Sequence, residues 1–534
     1  MSDLAPALAW LRRRLEAEGW ESEETHISLV LLGASEVWKI KKAVSLGFLD
    51  FSTLERRHAA CEAEVELNRR LTTDVYLGVE PITQSGAELR LGSDGETVEW
   101  AVRMRRLPHT ARADSLLAAG RLDRRQIGIA ARRIAEFHAA ARADAETARF
   151  GDSSIVEGNV RENFRQVAPF LLQYLQPAQA AQLSAWQLGF LARERPLLER
   201  RAAQGRVRDG HGDLRLDHLY FEGEDRGRLA ILDCIEFNDR FRFADVCADL
   251  AFLAMDLAAH GRVDLAEALL ARYAEAADDF DLYALVDFYE SYRAFVRGKI
   301  LGMMVEAGGP NRVVERSRRE ARRYFRLAMA SGERPLLPPR LIAVGGSLAT
   351  GKTTVATALG ERLSSPVIGS DRTRKAMLGI DPAHHQDDPA FAGAYRPGVT
   401  EQVYGELRRR ARVVLTSGRS VVLDASFGAR EQRRAARALA GALGVPFLFV
   451  ECVAPREVVE ERLRRRRSAG AESVSDGRLE ILDQFLARWQ RIEPDEEATL
   501  ARIDTSIEGA DSLAALWPLL PRWPEPPAAG SEAR

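Results

Sequence analysis

The eight residues GSLATGKT, Gly346–Thr353, leave few folds open to the chain. They match G-x-x-x-x-G-K-[ST], follow the apolar strand-like LIAVGG, and open a helical stretch. Glycine lets such a loop turn so that successive backbone N–H groups face one point, where the helix start adds its positive end. Phosphate oxygens suit that point. Gly346, Ser347, Ala349, Thr350, Gly351 and Thr354 would form the cradle. Lys352 would reach the outer phosphates and act on the group in transfer, and Thr353 would hold Mg²⁺. A glycine-rich turn without nucleotide fits the strand–loop–helix context poorly.

At 534 residues the chain exceeds one ordinary core, and 46% hydrophobic residues suffice to bury more than one. The break falls in SGERPLLPPR, 331–340, where three prolines and a glycine interrupt a helical region. The expected division is a first domain over 1–330, a linker over 331–340, a second domain over 341–520, and a disordered tail over 521–534. In the second domain, strand candidates at 341–345, 366–369, 420–424, 446–451 and 501–504 alternate with helical segments. That rhythm predicts an α/β fold, a parallel sheet covered by helices on both faces. The first domain reads as α+β. HISLVLL and EVWKIKKAV flank a short turn, Ser52 to Leu71 is helical, VEWAVRMRRLP returns to strand, and helix dominates after Pro108.

A formal net charge of -2 argues against capture of nucleic acid by the surface as a whole, leaving only a local basic groove. Four cysteines without metal-ligand spacing, the lack of a charged-then-apolar leader, and no run near the ~20 apolar residues of a membrane span point to a cytoplasmic protein without a membrane partner.

Further acids and bases follow the phosphate loop. SVVLDASF is an apolar strand ending at Asp424, a carboxylate suited to supporting Mg²⁺; capping after a buried strand is the alternative. PVIGS delivers Asp371 at a strand end, where it can take a proton from an acceptor hydroxyl or cap the next helix; the two roles are compatible. In REVVEERLRRRRSAGAESVSD, Arg462 and Arg466 are candidates for a lid that neutralises charge during transfer, a solvated helix face being the plainer reading. DPAHHQDDPAFAGAY carries His384, His385, Asp387 and Asp388, which suit an acceptor-site loop better than a metal cage. On GSLATGKT, SDRTRK, VVLDASF and the arginine-rich segment, residues 340–520 resemble the small P-loop kinases of the polynucleotide-kinase, zeta-toxin and chloramphenicol-phosphotransferase branch. The resemblance implies ATP as donor and Asp371 as base, and leaves the acceptor open.

The first domain carries HGDLRLDHLY, His211–Tyr220, then LYF, a polar turn and LAILD ending at Asp233. Two short strands and a turn form a hairpin that returns Asp233 beside Asp213, a base for a hydroxyl beside a carboxylate for Mg²⁺. A decorated hairpin with solvated acids is the alternative. In EVWKIKK, alternation sets Val37, Lys39 and Lys41 on one face; Lys39 is placed to reach phosphate and Lys41 competes. Glu64 is placed to hold the lysine, with Glu62 as its competitor. VWKIKK, Glu64, HGDLRLDH, ILDCIEF and RFADVCADLAFLAMDL together resemble the aminoglycoside phosphotransferase family, of protein-kinase-like fold, over roughly 25–300. The resemblance implies that Lys39 binds phosphate, Asp213 is the base and Asp233 a metal ligand, while Asp245 and Asp249 brace the fold. His218 departs from it, standing where the family places a metal-binding Asn. Mg²⁺ prefers hard oxygen, so three roles are open to His218: orienting Asp213, contacting phosphate, or reaching metal through water.

The expectation is a bifunctional phosphotransferase using ATP and Mg²⁺ on hydroxyls of small-molecule or nucleotide acceptors. Its competitors are a nucleotide-controlled switch with one degenerate site, and a nucleic-acid or nucleotide-sugar kinase acting through the second domain.

Overall fold

The computed structural model describes residues 6–46, 49–85, 88–92, 94–330, 336–381, 392–469, 478–506 and 513–524. They form two compact units, 6–260 with 288–330, and 261–287 with 336–524. This differs from a single cut at 331–340, because 261–287 belongs with the second unit. The expected tail beyond 524 and the loop 382–391, with His384, His385, Asp387 and Asp388, lie outside the described residues.

The first unit holds an antiparallel sheet in the order Glu21–Glu24, Ser28–Leu32, Glu36–Lys41, Glu96–Arg105, Tyr76–Ser85, Glu88–Leu91. The expected hairpin sits in it, with Ser28 opposite Lys41 and Leu32 opposite Val37, and Gly33 N donating to the Glu36 carbonyl at 2.8 Å. Period-two alternation then divides the residues. Leu29, Leu31, Trp38 and Ile40 pack with Leu8, Leu11 and Leu15 of the first helix. Val37 faces the other way, against Cys61 and Val65 of the helix Leu54–Arg69. That helix starts where Thr53 accepts a hydrogen bond from Arg56 N at 3.3 Å.

The helical part of the unit is built around Val246–Ala259, nearly all of it buried. Asp245 caps this helix by accepting from Cys247 N, and Arg201 grips the same carboxylate at 2.7 and 2.8 Å. A two-stranded hairpin, Leu219–Glu222 with Arg228–Ile231, carries the chain toward Asp233.

In the second unit five strands lie in the order Val367–Gly369, Val421–Asp424, Leu341–Gly345, Phe447–Val453, Leu500–Asp504, every pair parallel. The central strand Leu341–Gly345 is buried along its whole length, as an unbroken apolar run requires between two helical layers. Ile342 and Val344 meet Val355 and Leu359 of the helix that follows the phosphate loop.

The segment 261–287 contributes the helix Val263–Ala277 and a 3-10 turn at Phe280–Ala284. Its carboxylates take up cations of the P-loop fold. Arg419 donates to Glu267 at 2.7 and 3.2 Å and to Asp287 at 2.9 Å, and Arg410 to both oxygens of Asp278 at 2.6 and 2.8 Å. Glu275 accepts from the backbone N of Val367, on the edge strand, and so covers part of an exposed ladder. Removing one partner of a buried pair leaves the other charge uncompensated, at a cost of about 3–5 kcal/mol. Arg419→Met is therefore expected to lower the urea stability of the second unit by that order. A chain starting at 336 should be defective too. An unchanged urea midpoint in Arg419→Met would contradict this role for 261–287.

Candidate functional site

Strand alternation puts Lys39 and Lys41 on the face toward the helix Leu54–Arg69, and both reach Glu64. Lys39 Nζ donates to Glu64 Oε1 at 2.8 Å and to Asp233 Oδ1 at 2.5 Å. Lys41 Nζ, with no exposed side-chain surface, bonds Glu64 Oε2 and Glu236 Oε1. The sequence favours Lys39, with Lys41 as its runner-up. Both belong to the cluster, Lys39 at its rim and Lys41 sealed inside. Glu62 points away, its side chain 63% exposed and facing His58. Burial disfavours the Lys39 ammonium, yet Asp233 and Glu64 outweigh it and hold the lysine well above its ordinary range. Burial likewise opposes the Asp233 carboxylate, and Lys39 overrides it, so that Asp233 is held well below the usual range.

Asp233 has φ 67°, a left-handed conformation that costs a non-glycine residue strain and turns the chain sharply after the hairpin. Its backbone N donates to Tyr76 Oη at 3.2 Å.

The loop His211–His218 hangs from the buried helix Val246–Ala259. Asp249 accepts from the backbone N of His211 and Gly212 at 2.6 and 2.9 Å. Asp256 accepts from Leu216 N at 3.0 Å. These two acids stand seven residues apart, two helical turns, and so face the loop together. His211 joins loop to hairpin, donating from Nε2 to the Leu232 carbonyl at 2.9 Å and accepting from Asp213 N at its Nδ1.

Arg215 lies among the loop's acids. Its Nε is 3.1 and 3.2 Å from the two Asp213 oxygens, and Nη1 is 2.9 Å from Asp217 Oδ2. Burial would raise the Asp213 carboxyl, but Arg215, His218 and Arg297 overcome it and bring it down to about 2. His218 donates from Nδ1 to the Asp213 carbonyl at 2.8 Å, and its Nε2 accepts from Arg215 Nη2 at 3.1 Å. The same ring lies 3.9 Å from an Asp213 oxygen and 3.6 Å from one of Asp233, so both acids flank one imidazole. With Nε2 already engaged, the ring brackets the loop instead of offering a free lone pair. Sequence reasoning passed over Arg215, Glu236 and Asp256. Arg215 stood inside the quoted motif, and the seven-residue spacing of Asp249 and Asp256 was a usable signal.

In the second unit the bend of the phosphate loop rests on its glycines and one left-handed alanine. Gly346 has φ 148°, and a Cβ there would stand 2.5 Å from the Cys452 carbonyl oxygen. Gly351, φ 79°, precedes the helix Lys352–Leu363, and Ala349 is left-handed at φ 54°. Thr353 Oγ1 donates to Asp424 Oδ2 at 2.7 Å, and Lys352 Nζ to the loop's own Ser347 carbonyl at 2.6 Å. Thr350 Oγ1 also bonds that carbonyl, while Thr354 is exposed. Asp371 does not cap its helix. Gly369 holds the cap position, and Asp371 Oδ1 accepts from Tyr395 Oη at 3.4 Å. Arg462 donates to the carbonyls of Ala349 and Thr505 at 3.3 and 2.6 Å, clasping the loop from behind. The side chain of Arg466 lies outside the described residues. Among the described residues no three His, Cys, Asp or Glu side chains form a metal cage. Mg²⁺ in phosphoryl-transfer sites is commonly held by one or two carboxylates plus substrate phosphate, which asks for less.

These sites are those of a kinase-like phosphotransferase domain followed by a P-loop kinase domain, and sequence comparison agrees. The family described as "Phosphotransferase enzyme family" matches residues 47–289, and the family described as "AAA domain" matches 341–492. Uncharacterized protein Rv2004c of Mycobacterium tuberculosis (strain ATCC 25618 / H37Rv) is 30% identical over 453 residues, 85% of this chain and 87% of that protein. Uncharacterized protein Mb2027c of Mycobacterium bovis matches to the same extent. The chain belongs to the family of these mycobacterial proteins. Among solved structures, a sugar kinase from Janibacter sp. HTCC2649 is 20% identical with a TM-score of 0.27, covering 34% of this chain and 96% of that one. Chaetomium thermophilum Kti12, solved with ADP-AlF3, is 19% identical with a TM-score of 0.26, covering 34% and 99%. Among the described residues no helix is long and apolar enough to cross a membrane.

His211 yields a pH prediction. Burial, reinforced by His218, depresses its imidazole to about 4 in the folded chain. The unfolded chain, near 6.5, takes the proton first as pH falls. Stability from this group is thus complete above about pH 6.5 and is lost progressively toward pH 4, roughly 2 kcal/mol of it by pH 5. Urea unfolding at pH 7 and pH 5 measures the loss, and His211→Gln should shrink the difference between the two. An equally large difference in that variant would remove His211 as the cause.

Proposed function

We propose that the chain is a two-site cytoplasmic phosphotransferase that moves the γ-phosphoryl group of ATP, with Mg²⁺, to hydroxyls of small-molecule or nucleotide acceptors. The observation that carries this reading is Lys39 held between Glu64 and Asp233, in a chain that also has a glycine-turned phosphate loop. A lysine pinned by two carboxylates presents its ammonium at a set point, ready for phosphate oxygens. Four buried free thiols suit a reducing compartment.

In the first site Lys39 contacts the donor phosphates and Asp213 receives the acceptor hydroxyl. Its carboxyl, at about 2, is ionised at neutral pH, so it aligns the hydroxyl more strongly than it draws off the proton. In this reading His218 positions the loop, and Asp233 is the hard-oxygen ligand for Mg²⁺. In the second site the backbone of 346–351 cradles phosphate, Lys352 leaves the Ser347 carbonyl to meet it, and Arg462 keeps the loop in shape. Asp371 faces the acceptor. Thr353 and Asp424 bring the oxygens that suit Mg²⁺. When bound, Mg²⁺ would neutralise charge on the phosphates during transfer.

A second reading has support from Arg215. With both Asp213 oxygens beside its guanidinium, the first site would bind nucleotide and turn over slowly, serving as a switch. Calorimetry of Mg²⁺-ATP on the full chain separates the cases. Two binding events are expected, one lost in Lys39→Met, the other in Lys352→Ala, and both in the double variant. Two undiminished events in Lys39→Met would refute the first site. If binding stands, Asp213→Asn should lower acceptor-dependent ATP consumption about 10²-fold or more. An unchanged rate would leave the first site as a switch.

A further inference from the structure

The helix Asn311–Ala330, NRVVERSRREARRYFRLAMA, carries seven arginines and two glutamates, a local excess of five positive charges in a chain whose formal net charge is -2. Its two faces are sharply different. Ser317, Ala321, Tyr324, Phe325 and Ala328 are buried, and Phe325 packs with Phe295 and Tyr174, so the helix is fixed to the first unit. Arg312, Arg316, Arg319, Arg322 and Arg326 are exposed and Arg323 is half-buried. Positions 312, 316, 319, 323 and 326 recur every three or four residues, a stripe about 21 Å long at 1.5 Å per residue.

Most such charge runs are solvated faces laced with opposite charges. This one is sparsely paired. Arg316 bonds Glu320 and Arg318 bonds Glu315, while among the described residues Arg312, Arg319, Arg322, Arg323 and Arg326 make no ion pair. Arg312 and Arg316, Arg319 and Arg323, and Arg322 and Arg326 stand four apart, where like charges repel and destabilise a helix. A bound polyanion would remove that repulsion.

We propose that this arginine stripe binds the phosphodiester backbone of nucleic acid without sequence preference. The guanidinium fork matches phosphate oxygens, and a regular row of them suits a polymer of regularly spaced charge. An amphipathic helix that binds membranes inserts its apolar face. Here that face is buried in protein at Ala321, Tyr324, Phe325 and Ala328, and the exposed side is mainly cationic.

The test is fluorescence anisotropy of the full chain with a mixed-sequence single-stranded RNA of about 20 nucleotides. Five phosphate contacts predict binding that weakens about 100-fold between 50 and 200 mM salt, from a slope of ~0.7 per contact. The triple variant Arg312→Glu, Arg319→Glu, Arg326→Glu should bind at least 10-fold more weakly at 50 mM, with a slope smaller by about 2. Replacing the same three by lysine should keep the slope. Unchanged urea unfolding and Mg²⁺-ATP binding in the glutamate variant would show that it is folded; if it is not, the same comparison is made with Arg319→Gln and Arg326→Gln. Lys352→Ala should bind RNA as the parent does. No binding by the parent chain at 50 mM salt overturns the proposal. So does an unaltered slope in the charge-reversed chain, loss of binding in Lys352→Ala, equal competition by polyglutamate, or binding to phosphatidylserine vesicles in place of RNA.

Discussion

Both oxygens of the Glu64 carboxylate are occupied by lysines, and the first site depends on that division. One oxygen holds Lys39, which also reaches Asp233; the other holds Lys41, which also reaches Glu236. Strand, helix and hairpin are thereby joined through a single alternating chain of charges. Removing ions from water costs several kcal/mol each, so such a chain is stable only when every member has its partner. This explains the lysines at 39 and 41 in a chain whose cations are mostly arginine. A compact ammonium fits between two carboxylates where a planar guanidinium would force them apart.

The two candidate sites are built by opposite means. In the first, side chains create the site and the backbone is hung from them, Asp249 and Asp256 holding the amides of His211, Gly212 and Leu216. In the second, the backbone itself forms the candidate cradle. Gly346, Ala349 and Gly351 supply the left-handed turns, and Lys352 rests on its own loop's carbonyl. A substitution at a side chain should thus be felt differently in the two. At Glu64 it unbalances a buried network, whereas at Lys352 it leaves the loop's shape to Gly346 and Gly351.

Much of this was legible in order along the chain. The five parallel strands lie at the stretches where apolar runs end in turn residues, and the hairpin around Gly33 sits where alternation predicts it. Glu64 was readable as the lysine's partner with Glu62 as its competitor, and the packed helix turns Glu64 inward and Glu62 outward. What escaped notice was long-range and aperiodic. Arg215 reads as a filler residue until Asp213, Asp217 and His218 surround it. Asp371 at a helix start suggests a cap, and only the backbone shows that Gly369 takes that position. The break at 331–340 is a true change of composition, yet it is silent about 261–287, whose acids find their cations at Arg410 and Arg419 far along the chain.

The order of residues along the chain specifies the local devices, namely the phosphate loop, the strand rhythm and the hairpin that carries Asp233. Each of these is written in neighbouring residues through turn preference and periodicity. Packing between distant segments settled that Lys41 shares Glu64 with Lys39, what holds His218, and to which unit 261–287 belongs. Those outcomes rest on pairing buried charges between segments distant in sequence, and a pairing of that kind leaves no period to read.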